Sequence, residues 1–329
     1  MTHSPNATKD LIVSIVVPVY NRATTIEQFV DATATVLRKH FRNYELILVD
    51  DGSEDGTSDI VRGMVSNSQN IRHVVLNRHY GREISVTAGL DRAIGDYVIL
   101  MEPTFRDPPE LIPDLVAKAQ DDFDVVYVSR PPEPTKRFLQ RAATTLFYRI
   151  ASILTDLELD RDASEYRLLS RRIVNSVSKL KEQNRYMKML FAYVGYKVTS
   201  IPFHSSGHPI APSEFSYREN FKLALDALIS FSDKPLRYIA ILSVCVSILA
   251  FLGSLWVVID KMMSQHVVEG WASLMVVQLL MFSILFLFLA AISEYISRTL
   301  LEVKQRPLYY VREDNGGTKF DVENILDVD

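Results

Sequence analysis

The sequence predicts an α/β domain built on a mostly parallel sheet, followed by two membrane-spanning helices. Three observations predict it. Short apolar, β-branched runs fall at 12–19 (IVSIVVPV), 45–49 (ELILV), 71–76 (IRHVVL), 97–101 (YVILM) and 124–128 (DVVYV). Helical patterns at 24–39, 57–66 and 82–94 separate the early runs, and strands alternating with helices make a parallel sheet covered on both faces. Two later runs, 238–259 and 271–293, carry no charged residue.

Taken in order, residues 1–10 are a polar tail without an apolar signal core, which leaves the first domain on the cytoplasmic side where it is made. The α/β domain then extends over 11–213. Within it 138–154 (FLQRAATTLFYRIASIL) mixes Arg141 and Arg149 with apolar residues at helical spacing, and 215–231 repeats the pattern inside a juxtamembrane segment, 214–235. Such helices lie in the headgroup plane with basic residues toward phosphates, or pack as ordinary amphipathic core helices. The hairpin at 236–296 follows. Each of its runs is about 22 residues long, enough to cross a hydrocarbon core of about 30 Å. Lys234 and Arg237 precede the first run, Arg298, Lys304, Arg306 and Arg312 follow the second, and the loop between has only Lys261. The excess of positive charge puts both ends in the cytoplasm, with Trp256 and Trp271 near the outer interface. A buried helical hairpin is the alternative. Residues 297–329 form a tail whose acidic end, after Arg312, reads as flexible.

The 329 residues carry a net charge of −4, which gives no global pull toward nucleic acid. The single cysteine, Cys245, excludes an internal disulfide or a Cys-rich zinc site, and its apolar surroundings suggest a packing role.

In such sheets ligands bind beyond the carboxyl ends of the strands. Here those ends carry Tyr20-Asn21-Arg22, then Asp50-Asp51-Gly52-Ser53-Glu54-Asp55-Gly56-Thr57, then MEPTFRDPPE at 101–110 with Glu102, Arg106 and Asp107. No GxxxxGK[ST] loop is present and no GxGxxG follows the first strand. A nucleotide would have to be held by carboxylates on its base and ribose donors, with a cation or arginines on its diphosphate.

IVVPVYN at 15–21, VDDGSEDGT at 49–57, AGLDRAIGDYVILM at 88–101 and DPPELIP at 107–113 resemble the family 2 glycosyltransferases. RDASEYRLLSRR at 161–172, QNRYMKML at 183–190, KPLR at 234–237 and SEYISRTLLEVKQRPLYYVRE at 293–313 narrow the resemblance to the polyprenyl-phosphate glycosyltransferases, the GtrB-like enzymes and the dolichyl-phosphate mannose synthases. The resemblance covers residues 11–313. It implies a Rossmann-like GT-A fold and inverting transfer of a sugar from a nucleotide diphosphate, UDP foremost, to a polyprenyl phosphate at the cytoplasmic membrane, by a homo-oligomer, a tetramer in relatives. It further implies a donor site at Pro18, Tyr20, Asn21, Asp50, Asp51, Gly81 and Asp107. Glu165 would lie near the sugar or acceptor, and Arg130, Lys136, Arg137, Arg141, Arg167, Arg185 and Ser213 would meet phosphates.

The chain departs from the family where a divalent cation, Mg²⁺ or Mn²⁺, is bound. The family's D-A-D-L-Q is Glu102-Pro103-Thr104-Phe105-Arg106. One carboxylate, one hydroxyl and a guanidinium make a poor site for an ion that wants several oxygens. Three readings stay open: Arg106 replaces the metal, Glu102 holds one weakly, or activity is lost and the chain is a membrane scaffold. Arg22 in place of the usual acid after PVYN, and Glu214 in place of a lysine, are further departures. His204 and His208 stand four apart, but Gly207 and Pro209 interrupt any helix that would pair them on a metal. The Gln-x-x-Arg-Trp motif of processive polysaccharide synthases is absent.

Overall fold

The apolar runs become the central strands of an eight-stranded sheet. The computed structural model describes residues 11–104, 107–129, 163–180, 182–183, 185–202 and 270–316, with part of 241–259. The strands are β1 (Ile12–Val19), β2 (Asn43–Asp50), β3 (Ile71–Leu76), β4 (Tyr97–Leu100), β5 (Val125–Ser129), β6 (Ala163–Ser170), β7 (Val198–Pro202) and β8 (Val311–Gly316). Their order across the sheet is β7-β5-β6-β4-β1-β2-β3-β8. β1 pairs in parallel with both β2 and β4, β2 with β3, and β5 with β7. β6 runs antiparallel between β4 and β5, and β8 antiparallel along β3.

The central strands are buried almost throughout because helices cover both faces, and this is why they lack the polar alternation of a half-exposed strand. The helices are α1 (Ile26–His40), α2 (Thr57–Asn67), α3 (Arg82–Leu90), α4 (Ile112–Ala119), α5 (Arg171–Ser178), α6 (Met187–Val194) and α7 (Trp271–Lys304). α1 buries Ile26, Phe29, Val30, Thr33 and Leu37, the i, i+3, i+4 stripe of an amphipathic helix. α3 packs so tightly on β1 that a Cβ on Gly89 would lie 2.2 Å from Val16 Cγ1. That approach seats the far end of α3 against the sheet; its first residue, Arg82, enters the site below.

The chain divides into two units. One comprises Met1–Tyr148, Leu157–Phe215 and Pro307–Asp329, and the other Arg149–Asp156 and Ser216–Arg306. The first unit is the α/β domain that the sequence predicts. It also takes in β8, so residues 313–316, read from sequence as part of a flexible end, are an ordered edge strand. Arg62 holds Glu313 at 3.0 Å, and Arg72 and Arg92 hold Asp314 at 2.7 and 2.8 Å. Composition did not reveal this because the acids of 313–314 find their partners more than 200 residues away.

In the second unit α7 is 34 residues long. Among the described residues no helix is long and apolar enough to cross a membrane. The sequence of α7 includes the uncharged run 271–293. Several apolar side chains of α7, among them Leu274, Val277, Phe286, Leu289 and Ile296, are exposed. Cys245 is exposed as well, contrary to the packing role expected of it. The helices expected at 138–154 and 215–231 lie outside the described residues, as does most of 238–259.

Candidate active site

The carboxyl ends of β1, β2 and β4 and the opening of α3 lie along one edge of the sheet. At the end of β2 the two aspartates are buried, and each is bound to the chain itself. Asp50 accepts from the Ser53 amide at 2.8 Å and from the Ser58 hydroxyl, and His73 Nε2 stands 3.9 Å from its Oδ2. Burial would push the Asp50 carboxyl up, but His73, Ser58 and Ser53 outweigh it and hold the group below the ordinary carboxylate range. Asp51 accepts from the amides of Tyr80 at 2.7 Å and Gly81 at 2.8 Å, with His79 Nδ1 at 2.9 Å. Here burial wins, and the carboxyl is pushed up in spite of those bonds. Between the aspartate turn and the 78–81 loop lies Gly52, at φ +74°; a Cβ there would meet the Arg78 carbonyl carbon at 2.7 Å.

Tyr20, at the end of β1, stacks on His79 with ring centroids 4.0 Å apart and planes 27° from parallel. Asn21, at φ 51°, locks the neighbouring turn: its amide donates to Ser53 Oγ and its Oδ1 accepts from the Glu54 amide, both at 2.9 Å. The result is an exposed aromatic plate at the strand edge. Pro18 is partly buried within β1, opposite Val49.

The end of β4 is organised differently. Glu102 accepts from Arg82 Nε at 2.9 Å. The same guanidinium reaches Glu165 of β6 at 3.2 Å and Glu83 at 3.3 Å. Glu165 also meets Lys188 of α6 at 3.3 Å and Arg167 at 3.6 Å. Burial would raise the Glu165 carboxyl, but Arg82, Arg167 and Lys188 draw it down to about 2, so it stays ionised. Glu83 is pushed up, first by burial and then by Glu165, although Arg82 and the Met187 amide at 2.8 Å pull the other way. Burial opposes the charge on Arg82, yet its three carboxylates raise its pKa further and keep it a cation at any working pH.

The remaining predicted residues are placed as follows: three are buried and bound within the fold, and the rest lie outside the described residues. Asp107 is buried and braces the turn after β4 by accepting from the Glu102 amide at 3.1 Å. Arg167 is buried, donates to the Ser164 carbonyl at 2.7 Å and lies over the Phe191 ring at 5.3 Å. Arg185 is buried and directs its donors inward, to Thr87 Oγ1 at 3.3 Å and to the Leu180 carbonyl; burial lowers its pKa. Arg106, Arg130, Lys136, Arg137, Arg141, Ser213, His204 and His208 lie outside the described residues.

Sequence reasoning missed Arg82, Lys188 and His79. Arg82 directly follows Gly81, which the resemblance had put in the donor site, and that was the one available signal. That it gathers acids from β4 and β6 depends on the antiparallel insertion of β6, which no local pattern encodes.

The model of the family "Glycosyl transferase family 2" matches residues 14–177. The chain is 32% identical over 303 residues to "Uncharacterized glycosyltransferase YkcC" of Bacillus subtilis, covering 92% of this chain and 94% of that protein. It is 29% identical over 305 residues to the "SfII prophage-derived bactoprenol glucosyl transferase" of Shigella flexneri, covering 93% of this chain and 99% of that protein. Among solved structures, glucosyl-3-phosphoglycerate synthase from Mycobacterium tuberculosis, in complex with Mn²⁺, UDP-glucose and phosphoglyceric acid, is similar with a TM-score of 0.46. The identity is 18%, over 68% of this chain and 80% of that one.

Proposed function

The chain belongs to glycosyl transferase family 2, and from that premise we propose that it moves a sugar from a nucleotide diphosphate to a polyprenyl phosphate at the cytoplasmic face of a membrane. The observation that carries this reading is the end-to-end similarity to a protein named a bactoprenol glucosyl transferase, at 29% identity over 93% of this chain. The uncharged runs at 238–259 and 271–293, and the exposed apolar side chains of α7, support a membrane-held enzyme with both ends in the cytoplasm. A UDP-sugar is the donor we favour, and a homo-oligomer the assembly.

In the reaction a phosphate oxygen of the acceptor attacks the anomeric carbon from the face opposite the nucleotide. The new C–O bond forms as the bond to the diphosphate breaks, the nucleoside diphosphate leaves, and the sugar carbon inverts. The attacking oxygen is already an anion, so the chain need not supply a strong base. Its work is to position the two phosphates and to stabilise the departing charge. The Tyr20–His79 plate offers a flat face to the base at the edge of β1. Asp51 holds the loop that carries His79. Glu165, kept ionised between Arg82, Arg167 and Lys188, is placed to accept from sugar hydroxyls.

A divalent ion on the diphosphate is what the family resemblance implies. The described residues do not fit one. Glu102, the surviving acid of the motif, is already bound by Arg82 at 2.9 Å, and Thr104 offers a buried hydroxyl where the second acid would stand. No step is therefore assigned to a metal.

The test is sugar transfer by the purified full-length chain in detergent, from UDP- and GDP-sugars to undecaprenyl phosphate, followed by the appearance of lipid-linked sugar. Consumption of one donor only when the lipid phosphate is present is the expected result. A folded protein that consumes none would overturn the reading.

A further inference from the structure

We propose that Arg82 is the resident cation of the donor site: its guanidinium occupies the mouth of the Glu102 and Glu165 carboxylates and meets the leaving diphosphate where a divalent ion would otherwise sit. The inference rests on the nucleotide-sugar reading above and deepens it.

Three observations carry it. The first is geometry. Arg82 opens α3 immediately after Gly81, whose amide is bound to buried Asp51, so the backbone that carries the guanidinium is fixed at the donor edge. Gly89 then seats the same helix hard against Val16. The second is coordination. The Nε, Nη1 and Nη2 atoms of Arg82 face Glu102, Glu83 and Glu165 at 2.9, 3.3 and 3.2 Å. A guanidinium has five N–H donors in a planar fork, so donors remain for phosphate oxygens. The third is charge. Arg82, Arg167 and Lys188 balance Glu83, Glu102 and Glu165, three cations against three carboxylates. A cluster already neutralised by its own side chains has little to offer a divalent ion. It does suit an arriving diphosphate, to which the fork donates hydrogen bonds without transferring a proton.

Arg106, the replacement considered from sequence, is not needed for this assignment. Arg82 is held by Glu83 of its own helix, by Glu102 just past the end of β4 and by Glu165 of β6.

The experiment uses full-length protein in detergent and has two arms. In the first, free Mn²⁺ is followed by electron paramagnetic resonance as protein is added with UDP, for wild type, Glu102→Ala, Arg82→Gln and the double variant. Wild type is expected to take up no more Mn²⁺ than Glu102→Ala. Wild-type uptake that disappears in Glu102→Ala overturns the proposal. In the second, turnover is measured with Mg²⁺ and with EDTA. Turnover that survives EDTA, with kcat reduced about 100-fold in Arg82→Gln and KM little changed, is expected of a lost donor to transition-state charge. Arg82→Lys should recover part of the rate, since it keeps the charge and loses the fork. EDTA-sensitive turnover, or full kcat in a folded Arg82→Gln, overturns the inference and leaves the glycosyltransferase reading intact. Should no donor be consumed at all, that reading falls, and the Mn²⁺ arm still decides the role of Arg82.

Discussion

The ends of β2 and β4 both present acids on one sheet edge, yet the two ends use them in opposite ways. At β2, Asp50 and Asp51 bind mainly backbone amides and a hydroxyl. At β4, Glu102 binds a guanidinium, and Glu165 of the adjoining β6 binds two guanidinium groups and an ammonium. A carboxylate tied to amides shapes a loop; one tied to cationic side chains sets the field that an incoming anion meets. The DDGS turn is thus a brace, and the Arg82 cluster is the part poised for charge.

Changes at the brace should be felt mainly as lost stability, and changes at the cluster mainly as lost rate. Asp51→Ala leaves the part-buried amides of Tyr80 and Gly81 without their acceptor, so thermal or urea unfolding should show a loss of about 2–3 kcal/mol. A loss below about 1 kcal/mol would break the comparison. Gly52→Ala adds a left-handed φ penalty and a clash with the Arg78 backbone, and should cost about 2–3 kcal/mol in the same assay.

Acid separates the two regions by sign. The Glu165 carboxyl lies at about 2 in the fold against an ordinary 4.5. Its stabilisation, on the order of a few kcal/mol at most, is whole above pH 4.5 and lost as pH falls through about 2. Asp51 is raised above its ordinary 3.8, so its contribution is largest in acid and vanishes as pH rises through its folded value. Melting temperature against pH should therefore flatten on the acid side in Glu165→Gln and steepen in Asp51→Asn. Matching slopes in the two variants would contradict the assignment. The smallest effect is expected at the edge strand. Asp314→Asn weakens ion pairs that are partly open to water and should cost less than about 1 kcal/mol, with kcat unchanged.

Part of the candidate site was legible in the residues. The strand-end positions of Asp50, Asp51, Glu102 and Asp107 follow from apolar runs that end in acids, and Glu165 was identified through its motif. What each acid binds was not legible. Asp50 and Asp51 are adjacent, yet one is drawn down by His73 of β3 together with Ser58 and Ser53, and the other is pushed up by burial that the Tyr80 and Gly81 amides of a later loop do not offset.

By itself the sequence determined β1 to β5, the helices α1 to α3 and the parallel core, since apolar periodicity and β-branching act over a few neighbouring residues. Only the tertiary structure decided that 163–170 would insert antiparallel between β4 and β5, that 311–316 would close the far edge along β3, and that Arg82 would gather Glu102 and Glu165. The physical reason is sequence separation. Those pairings join residues from 20 to more than 240 positions apart, and the propensity of the joined segments says nothing about which partner they will meet.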